Sequence, residues 1–295
     1  MNTLSRRDVL TYSALMGGTA FLSTLHPGLG SAAQNLMAGM IMSRGYLLIG
    51  DAKSPIRSLL SMQAANPSQL QVALAWAFTK PLVDWMLEAL ARKSLQRPGA
   101  VEFATPAGQL AQYSWADGVV AQLQFPPCDA TSAVDDLTPV LTIQAGPLSA
   151  KPVEPAPQGW GSPTPRWYQN TFRVDSNASG GIVDFRRTLS VSALNLSPRA
   201  RGGTVGVVLA FGLEHPEWVN PLIQVASVGG QLLPGQPTSL TVNYLDRRFQ
   251  LLASVTLNGC RLTAVSPSSP QPPSRSGRTA LTFDFMDASF RATIV

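Results

Sequence analysis

The side chains that most often carry catalysis are scarce in this sequence. It has 2 histidines and 2 cysteines in 295 residues, and His215 is the histidine that remains if the apolar N-terminal segment is removed. A lone histidine beside a helix start is typical of a capping or surface residue. Cys128 and Cys260, with one histidine, cannot assemble a soft-metal cluster within one chain, so we expect no zinc site. The two cysteines either bridge in an oxidising compartment or stay as free thiols.

Carboxylates suggest two further kinds of site. Asp129, Asp135 and Asp136 lie close together in the sequence, and such oxygen ligands suit a hard cation such as calcium. The simpler interpretation, a solvated acidic loop, is the one we prefer. Glu214 and Glu217 resemble the paired carboxylates of a glycoside hydrolase, but they lie three apart at a predicted helix start. Acidic charge opposing the helix dipole in the first turn accounts for them.

Phosphate and acyl-transfer chemistry lacks its usual motifs. The sequence has no Gly-rich phosphate loop and no Gly-x-Ser-x-Gly elbow, and its glycine pairs at 202–203 and 229–230 predict turns. Its 22 basic and 17 acidic residues leave a charge of +5. The arginines are scattered rather than clustered in a basic stripe, which argues against nucleic-acid binding. We therefore predict a protein that is not an enzyme, with no cofactor, no bound metal and no nucleic-acid partner.

Aromatic side chains offer one candidate binding surface. Trp160, Trp167 and Tyr168 cluster in and just after a Pro-rich stretch. Aromatic rings of this kind can bind a carbohydrate or a protein partner. The alternative is that the stretch packs its aromatic residues against a neighbouring domain. The three residues are kept as candidate partner-binding aromatics.

The N-terminus has the three parts of an export signal. Arg6 and Arg7 precede an uncharged stretch at residues 11–25, and small residues follow at positions 31–33. The adjacent arginines with Leu10 resemble a twin-arginine signal, with Val9 in place of the more usual Phe and Thr11 in place of the common Lys. The apolar stretch is too short to span a bilayer comfortably. We predict a signal at residues 1–33 and a periplasmic or secreted protein without a stable membrane span; a buried N-terminal helix is the alternative.

Composition favours short strands over long helices. The chain is 45% hydrophobic and only 13% charged, with 24 Gly and 24 Pro. Five prolines at residues 151–165 predict a stiff, extended linker. Its position near the middle of the chain predicts two domains, at residues 34–150 and 166–295.

The two predicted domains repeat one order of elements. Each begins with a strand and a second apolar stretch, followed by a β-prone run at residues 70–78 in the first half and 203–211 in the second. A Trp-bearing helix follows, with Leu82, Val83, Met86, Leu87 and Leu90 at helical spacing and Trp85 widening this apolar face. Its counterpart is predicted at residues 214–225, which contain Trp218.

Beyond the helices the halves align without a gap when 141 is added to each number. Strand residues 100–103 then match 241–244, and Gln109-Leu110 match Gln250-Leu251. The turn or bulge formers Asp117-Gly118 match Asn258-Gly259. Final strands are predicted at residues 140–143 and 280–283. The agreement predicts a duplication.

The ordered set of segments between Trp85 and Gln144 resembles the contractile-phage tail tube protein family. The segments that carry the resemblance are Leu82-Val83-Asp84-Trp85, Gly99-Ala100-Val101-Glu102-Phe103, Trp115-Ala116-Asp117-Gly118-Val119, Pro127-Cys128-Asp129-Ala130-Thr131-Ser132 and Leu141-Thr142-Ile143-Gln144. The second half keeps the helix Trp and the strands, but has a Pro- and Ser-rich stretch at residues 266–277 in place of the Asp-Ala loop.

The resemblance implies a mainly β (α+β) fold, with two tandem small β-barrels that each pack one helix, as in type VI secretion tube proteins. It also implies a non-enzymatic assembly subunit that self-associates, with an envelope or secretion-system protein as a further partner. Family members form six-fold rings, so three chains with two similar domains each could close a pseudo-six-fold ring. The departures are the tandem copies and the export signal. A monomeric envelope-binding module that reuses the fold for glycan or protein recognition is the alternative function.

Overall fold

The structure is a computed structural model, and the mainly β fold predicted from the sequence is confirmed. It describes residues 45–63, 68–93, 95–104, 109–132, 134, 137–155, 166–177, 185–200, 202–210, 239–267 and 277–294. Within these ranges one α-helix, α1 (Lys80–Leu90), and a short 3-10 helix (Phe185–Arg187) accompany the strands. No helix among them is long and apolar enough to cross a membrane.

The strands of the described ranges run from 2 residues at Cys128–Asp129 to 17 residues at Gln109–Phe125, so not all of them are as short as the Gly and Pro content predicts. In chain order they are β1 (Gly45–Ile49), β2 (Ala52–Gln63), β3 (Ser68–Leu74), β4 (Arg97–Ala104), β5 (Gln109–Phe125), β6 (Cys128–Asp129), β7 (Val140–Ala145), β8 (Ser149–Pro155), β9 (Phe172–Ser176), β10 (Thr188–Val191), β11 (Leu194–Leu196), β12 (Gly203–Leu209), β13 (Ser239–Leu245), β14 (Leu251–Asn258), β15 (Arg261–Pro267), β16 (Thr279–Phe285) and β17 (Asp287–Ala292).

The chain forms two compact units that alternate along the sequence. Unit 1 takes the residues up to Leu74, Gln96–Val119 and residues 141–162. Unit 2 takes Ala75–Leu95, Val120–Val140 and residues 163–295. The units therefore differ from consecutive halves, because helix α1 and the end of β5 belong to unit 2. The two domains at residues 34–150 and 166–295 stay a prediction.

Unit 1 is built on a closed six-stranded antiparallel barrel. The strands follow the order β5-β4-β1-β2-β3-β7, and a β5–β7 pairing closes the ring. Strand β8 pairs with the first part of β5 outside this ring. Alternation in β1 buries Leu47 and Ile49 and leaves the residues between them partly exposed. The first five residues of the predicted linker lie in β8, and residues 156–165 fall outside the described ranges.

A bulge in the barrel accommodates a buried tryptophan. The β4–β5 register shifts between Arg97 and Gly99, where Arg97 lies opposite Gly118 and Gly99 opposite Trp115. The Trp115 side chain is 4% exposed, and its Nε1 donates to the Arg97 carbonyl at 3.1 Å. A Cβ on Gly99 would lie 2.6 Å from the Trp115 ring and 2.8 Å from the Leu48 carbonyl oxygen. Glycine is therefore required there by close approach of the ring, and the predicted turn or bulge at Asp117-Gly118 is confirmed as a bulge.

Unit 2 contains a four-stranded and a five-stranded sheet. The first has the order β17-β14-β13-β9 and the second β15-β16-β12-β10-β6, while β11 pairs with the end of β5. Many pairings in unit 1 have a counterpart here. The pairing β1–β4 corresponds to β9–β13, and β4–β5 corresponds to β13–β14. Likewise β5–β8 corresponds to β14–β17, and β2–β3 corresponds to β10–β12. Val101 and Val242, which the 141-residue offset matches, lie on the corresponding strands β4 and β13.

Helix α1 packs within unit 2, against β17. Leu82, Val83, Trp85 and Met86 of the predicted apolar face lie in the interior together with Ala89, whereas Leu87 and Leu90 are only partly buried. Trp85 is 1% exposed and donates from Nε1 to the Leu95 carbonyl at 3.1 Å. Burial of such a side chain stabilises the unit by about 2 to 3 kcal/mol. The predicted counterpart helix at 214–225, with Trp218, lies outside the described residues.

The core of unit 2 is rich in aromatic rings. Tyr244 of β13 contacts Trp76, Phe125 and Trp167, with ring centroids 5.2, 5.4 and 5.2 Å away. Phe290 of β17 contacts Phe125 at 5.3 Å. These rings come from segments before and after the Pro-rich stretch, so unit 2 needs both parts of the chain to complete its core.

Candidate interaction site

Two loop tips of unit 2 expose the largest apolar side chains. Among the described residues, Phe249 is 75% exposed and Met286 70% exposed, more than any other large hydrophobic residue. Single exposed apolar residues are common on protein surfaces. These two differ because each lies at a tip built by a specific hydrogen-bond network and flanked by charges of one predominant sign. We call residues 246–250 the basic tip and residues 284–287 the acidic tip.

Asp246 organises the backbone of the basic tip, which joins β13 to β14. Its Oδ1 accepts hydrogen bonds from the backbone N–H groups of Arg248 and Gln250, both at 2.8 Å. The Asp246 N–H donates to the Gln250 carbonyl at 2.9 Å, and the Phe249 N–H donates to the Asp246 carbonyl at 2.9 Å. Aspartate is suited to this role because its short side chain reaches its own following backbone. The tip is thus held in one conformation.

Phe249 has a backbone conformation that favours glycine. Its φ is 60°, in the left-handed region. A residue with a Cβ pays about 1 to 2 kcal/mol there. The 141-residue offset pairs Phe249 with Gly108, the residue type that this conformation prefers. The second half therefore keeps an exposed aromatic side chain at a position where it costs stability.

A short segment after the Pro-rich stretch braces the basic tip. The Arg247 guanidinium lies 3.8 Å from the centroid of the Tyr168 ring, which is cation–π distance. Thr171 Oγ1 contacts the carbonyls of Tyr168 and Leu245, both at 2.8 Å, and the Leu245 N–H donates to the Thr171 carbonyl at 3.0 Å. Trp167 Nε1 donates to that same carbonyl at 2.9 Å. These contacts hold the Arg247 guanidinium against the Tyr168 ring.

The acidic tip joins β16 to β17. Met286 lies between Asp284 and Asp287, which are both exposed. The Met286 N–H donates to the Asn258 carbonyl at 2.9 Å. The Ala288 N–H donates to Asp287 Oδ1 at 2.8 Å. Thr204 Oγ1 donates to Asp284 Oδ1 at 3.0 Å. The tip is therefore also anchored to neighbouring strands.

The two tips carry opposite net charge. At the basic tip, Arg247 and Arg248 against Asp246 leave +2 − 1 = +1. The acidic tip has two negative charges, on Asp284 and Asp287. Its one basic neighbour is Arg261, which lies opposite Asp284 in the β15–β16 pairing, so the net charge is −2 + 1 = −1. Charges of this kind in solvent set orientation and association rate more than affinity.

The aromatic residues predicted as a binding surface have different positions. Trp167 is 0% exposed and lies in the core of unit 2, so it is not accessible to a partner. Its burial follows from its ring contacts with Trp76 and Tyr244 and its hydrogen bond to Thr171. Tyr168 is half-buried beneath Arg247. Trp160 lies outside the described residues, as do Arg6 and Arg7 of the predicted signal.

Most of the residues weighed as catalytic or metal candidates are not among those that the structure describes. His215, Glu214, Glu217, Asp135 and Asp136 lie outside the described ranges. Within those ranges no cluster of three or more His, Cys, Asp or Glu side chains could hold a metal. Asp129 Oδ1 accepts hydrogen bonds from the Thr131 N–H at 2.8 Å and from its hydroxyl at 2.7 Å, as in a loop turn.

Both cysteines are buried free thiols. Burial raises the pKa of Cys260 to about 11, and its Sγ lies 3.3 Å from the Leu257 carbonyl oxygen. Burial also raises the pKa of Cys128 well above its ordinary value. Such thiols are poor nucleophiles at neutral pH, since the thiolate is the reactive form. They serve as small core residues.

The two tips have little signal in the amino-acid sequence. Phe249 and Met286 lie in polar surroundings where single apolar residues give no periodic pattern. Phe249 has one signal in the sequence, because the 141-residue offset aligns it with Gly108. A bulky residue aligned with a glycine is unusual where the backbone conformation favours glycine. Met286 has no comparable signal in the sequence.

No protein-family model and no curated protein sequence matches the chain. Two solved structures are similar to part of it. The sheath-tube complex of an extracellular contractile injection system (PVC, extended state) has 13% identity and a TM-score of 0.29, over 41% of this chain and 88% of that one. A type six secretion system protein has 9% identity and a TM-score of 0.24, over 40% of this chain and 64% of that one. At these scores neither similarity indicates a function for this chain.

Proposed function

We propose that this protein is a non-enzymatic assembly subunit that associates with copies of itself. The observation that carries the proposal is the correspondence of strand pairings between units 1 and 2, from β1–β4 and β9–β13 onward. A chain that carries two related strand arrangements offers two related surfaces. Repeated surfaces are what closed rings of identical subunits are made from.

The sequence supports the same proposal independently. Catalytic side chains are scarce, and the ordered segments from Trp85 to Gln144 resemble tail tube proteins. On this proposal the chain arose by tandem duplication, and three copies form a pseudo-six-fold ring. Export through the twin-arginine-like signal places the assembly in the periplasm or outside the cell, where an envelope or secretion-system protein is its further partner.

The alternative of a monomeric envelope-binding module has lost part of its support. It relied on Trp160, Trp167 and Tyr168 as an exposed aromatic surface, yet Trp167 is buried and Tyr168 lies against Arg247. A binding role for Trp160 alone would offer one ring rather than a platform. Self-association is accordingly the function we favour.

Light scattering over a concentration series tests the proposal. We expect the purified chain to have a mass of several protomers of 31.4 kDa, with a concentration-dependent midpoint. A mass of one protomer across the series would overturn it. Electron microscopy of the associated fraction then distinguishes a ring from an open stack, because only a ring has a closed outline with a fixed subunit number.

A further inference from the structure

The two exposed tips lie at opposite ends of the same strand. The basic tip immediately precedes Leu251, the first residue of β14, and Met286 of the acidic tip bonds to Asn258, its last residue. Eight residues of β-strand span about 25 Å. One tip of a protomer therefore cannot reach its own other tip. Each remains exposed until a second molecule approaches along the strand direction.

The chemistry of each tip fits the other. Phe249 presents an aromatic ring, and Met286 presents a flexible thioether that makes favourable contacts with aromatic rings. Arg248 and the two aspartates at 284 and 287 are exposed beside them and opposite in charge. An apolar contact surrounded by opposite charges is the arrangement found at the centre and rim of protein interfaces.

We propose that the basic tip of one protomer docks on the acidic tip of the next, with Phe249 against Met286. The proposal rests on self-association as the proposed function and names its surfaces. Because the tips face opposite directions along β14, the contact joins different patches of the two molecules. Such a head-to-tail contact makes a stack or a ring rather than a two-fold dimer. Phe249 has a left-handed backbone conformation, and its side chain is 75% exposed.

Charge reversal tests the contact and its direction. Arg248→Glu and Asp287→Arg should each raise the concentration needed for association at least about tenfold, because each places like charges across the contact. An equimolar mixture of the two variants should recover association. In that mixture the unchanged basic tip of one variant meets the unchanged acidic tip of the other, and at the next contact the two charge-reversed tips meet with opposite charges, so an alternating stack has no like-charge contact. Arg291→Glu reverses an exposed charge on β17 whose Cα pairs with that of Ser254, midway along β14 between the two tips; it is the matched control and should behave as the unchanged protein does.

Apolar variants provide the second arm of the test. Phe249→Ser should weaken association at least about tenfold, as for a central apolar anchor. Leu60→Ser, at a side chain 52% exposed in unit 1, is its matched control and should have no effect. Far-ultraviolet circular dichroism identifies any variant that has failed to fold.

The outcomes separate the two proposals. If the unchanged chain associates but neither tip variant alters the midpoint, the tip contact is overturned while the assembly function stands. Failure of the mixed variants to recover association also overturns the head-to-tail contact. If the unchanged chain is a monomer throughout, the assembly function itself fails.

Discussion

Replacement of Phe249 separates backbone strain from side-chain contact. The left-handed conformation costs a residue with a Cβ about 1 to 2 kcal/mol relative to glycine. A glycine at this position lowers the free energy of unfolding by about 0.4 to 1 kcal/mol, because it gives the unfolded chain more conformational freedom. We therefore expect Phe249→Gly to be more stable than Phe249→Ala by about 0.5 to 1 kcal/mol. Loss of the ring itself should cost both variants about 1 kcal/mol or less, because Phe249 is 75% exposed.

Urea unfolding at a concentration where the protein is dissociated measures this difference. Near-ultraviolet circular dichroism follows unit 2 through its aromatic core, including Trp167 and Tyr244. Gln250 is the matched control, because its φ is not in the left-handed region. There the order should reverse, with Gln250→Gly less stable than Gln250→Ala by about 0.5 to 1 kcal/mol. The same order at both positions would refute the strain argument.

Three further predictions concern stability. Arg92 follows helix α1 with φ 59°, and the Lys93 N–H bonds to the Glu88 carbonyl as in a glycine-terminated helix; Arg92→Gly should stabilise by about 0.5 to 1 kcal/mol, measured by urea unfolding. Gly99→Ala should destabilise unit 1 by about 1 to 3 kcal/mol. Gly206→Ala is the control and should be tolerated, because a Cβ there would lie 3.7 Å from the nearest atom. Equal losses of melting temperature in the two variants would contradict the close-approach argument. Burial raises the pKa of Cys260 from 9.0 to about 11, so the folded state binds the thiol proton more tightly than the unfolded state does. The contribution of this proton to the free energy of unfolding should be fully present below pH 9 and should be lost as the pH rises toward 11. A urea midpoint that rises over this range would contradict the prediction.

Local patterns predicted the elements, whereas the assignment of elements to units depended on contacts far apart in the chain. The buried face of helix α1 follows from apolar spacing at Leu82, Val83, Trp85 and Met86. The position of that helix in unit 2 depends on packing with β17, about two hundred residues later. No local pattern carries that information.

The candidate site was harder to predict for a related reason. Trp167 was a candidate surface residue because it follows a Pro-rich stretch, but burial of its ring depends on Trp76 and Tyr244, which are distant in sequence. The exposed tips, conversely, are defined by backbone hydrogen bonds around Asp246 and Asn258 rather than by a side-chain motif.

Because the two units alternate along the chain, the ribosome makes the segments of unit 2 at widely separated times. Phe78 forms a β-bridge with Ile294, so unit 2 joins residues 294 − 78 = 216 positions apart. At about 5 to 20 residues per second, a ribosome makes the first of them about 10 to 40 s before the second. During that interval helix α1 has no partner strand, and its apolar face is available to chaperones or to misassembly. On the proposed export route, whose predicted twin-arginine-like signal is read by a translocase that moves folded proteins, the last strand would be made before the chain crosses the membrane.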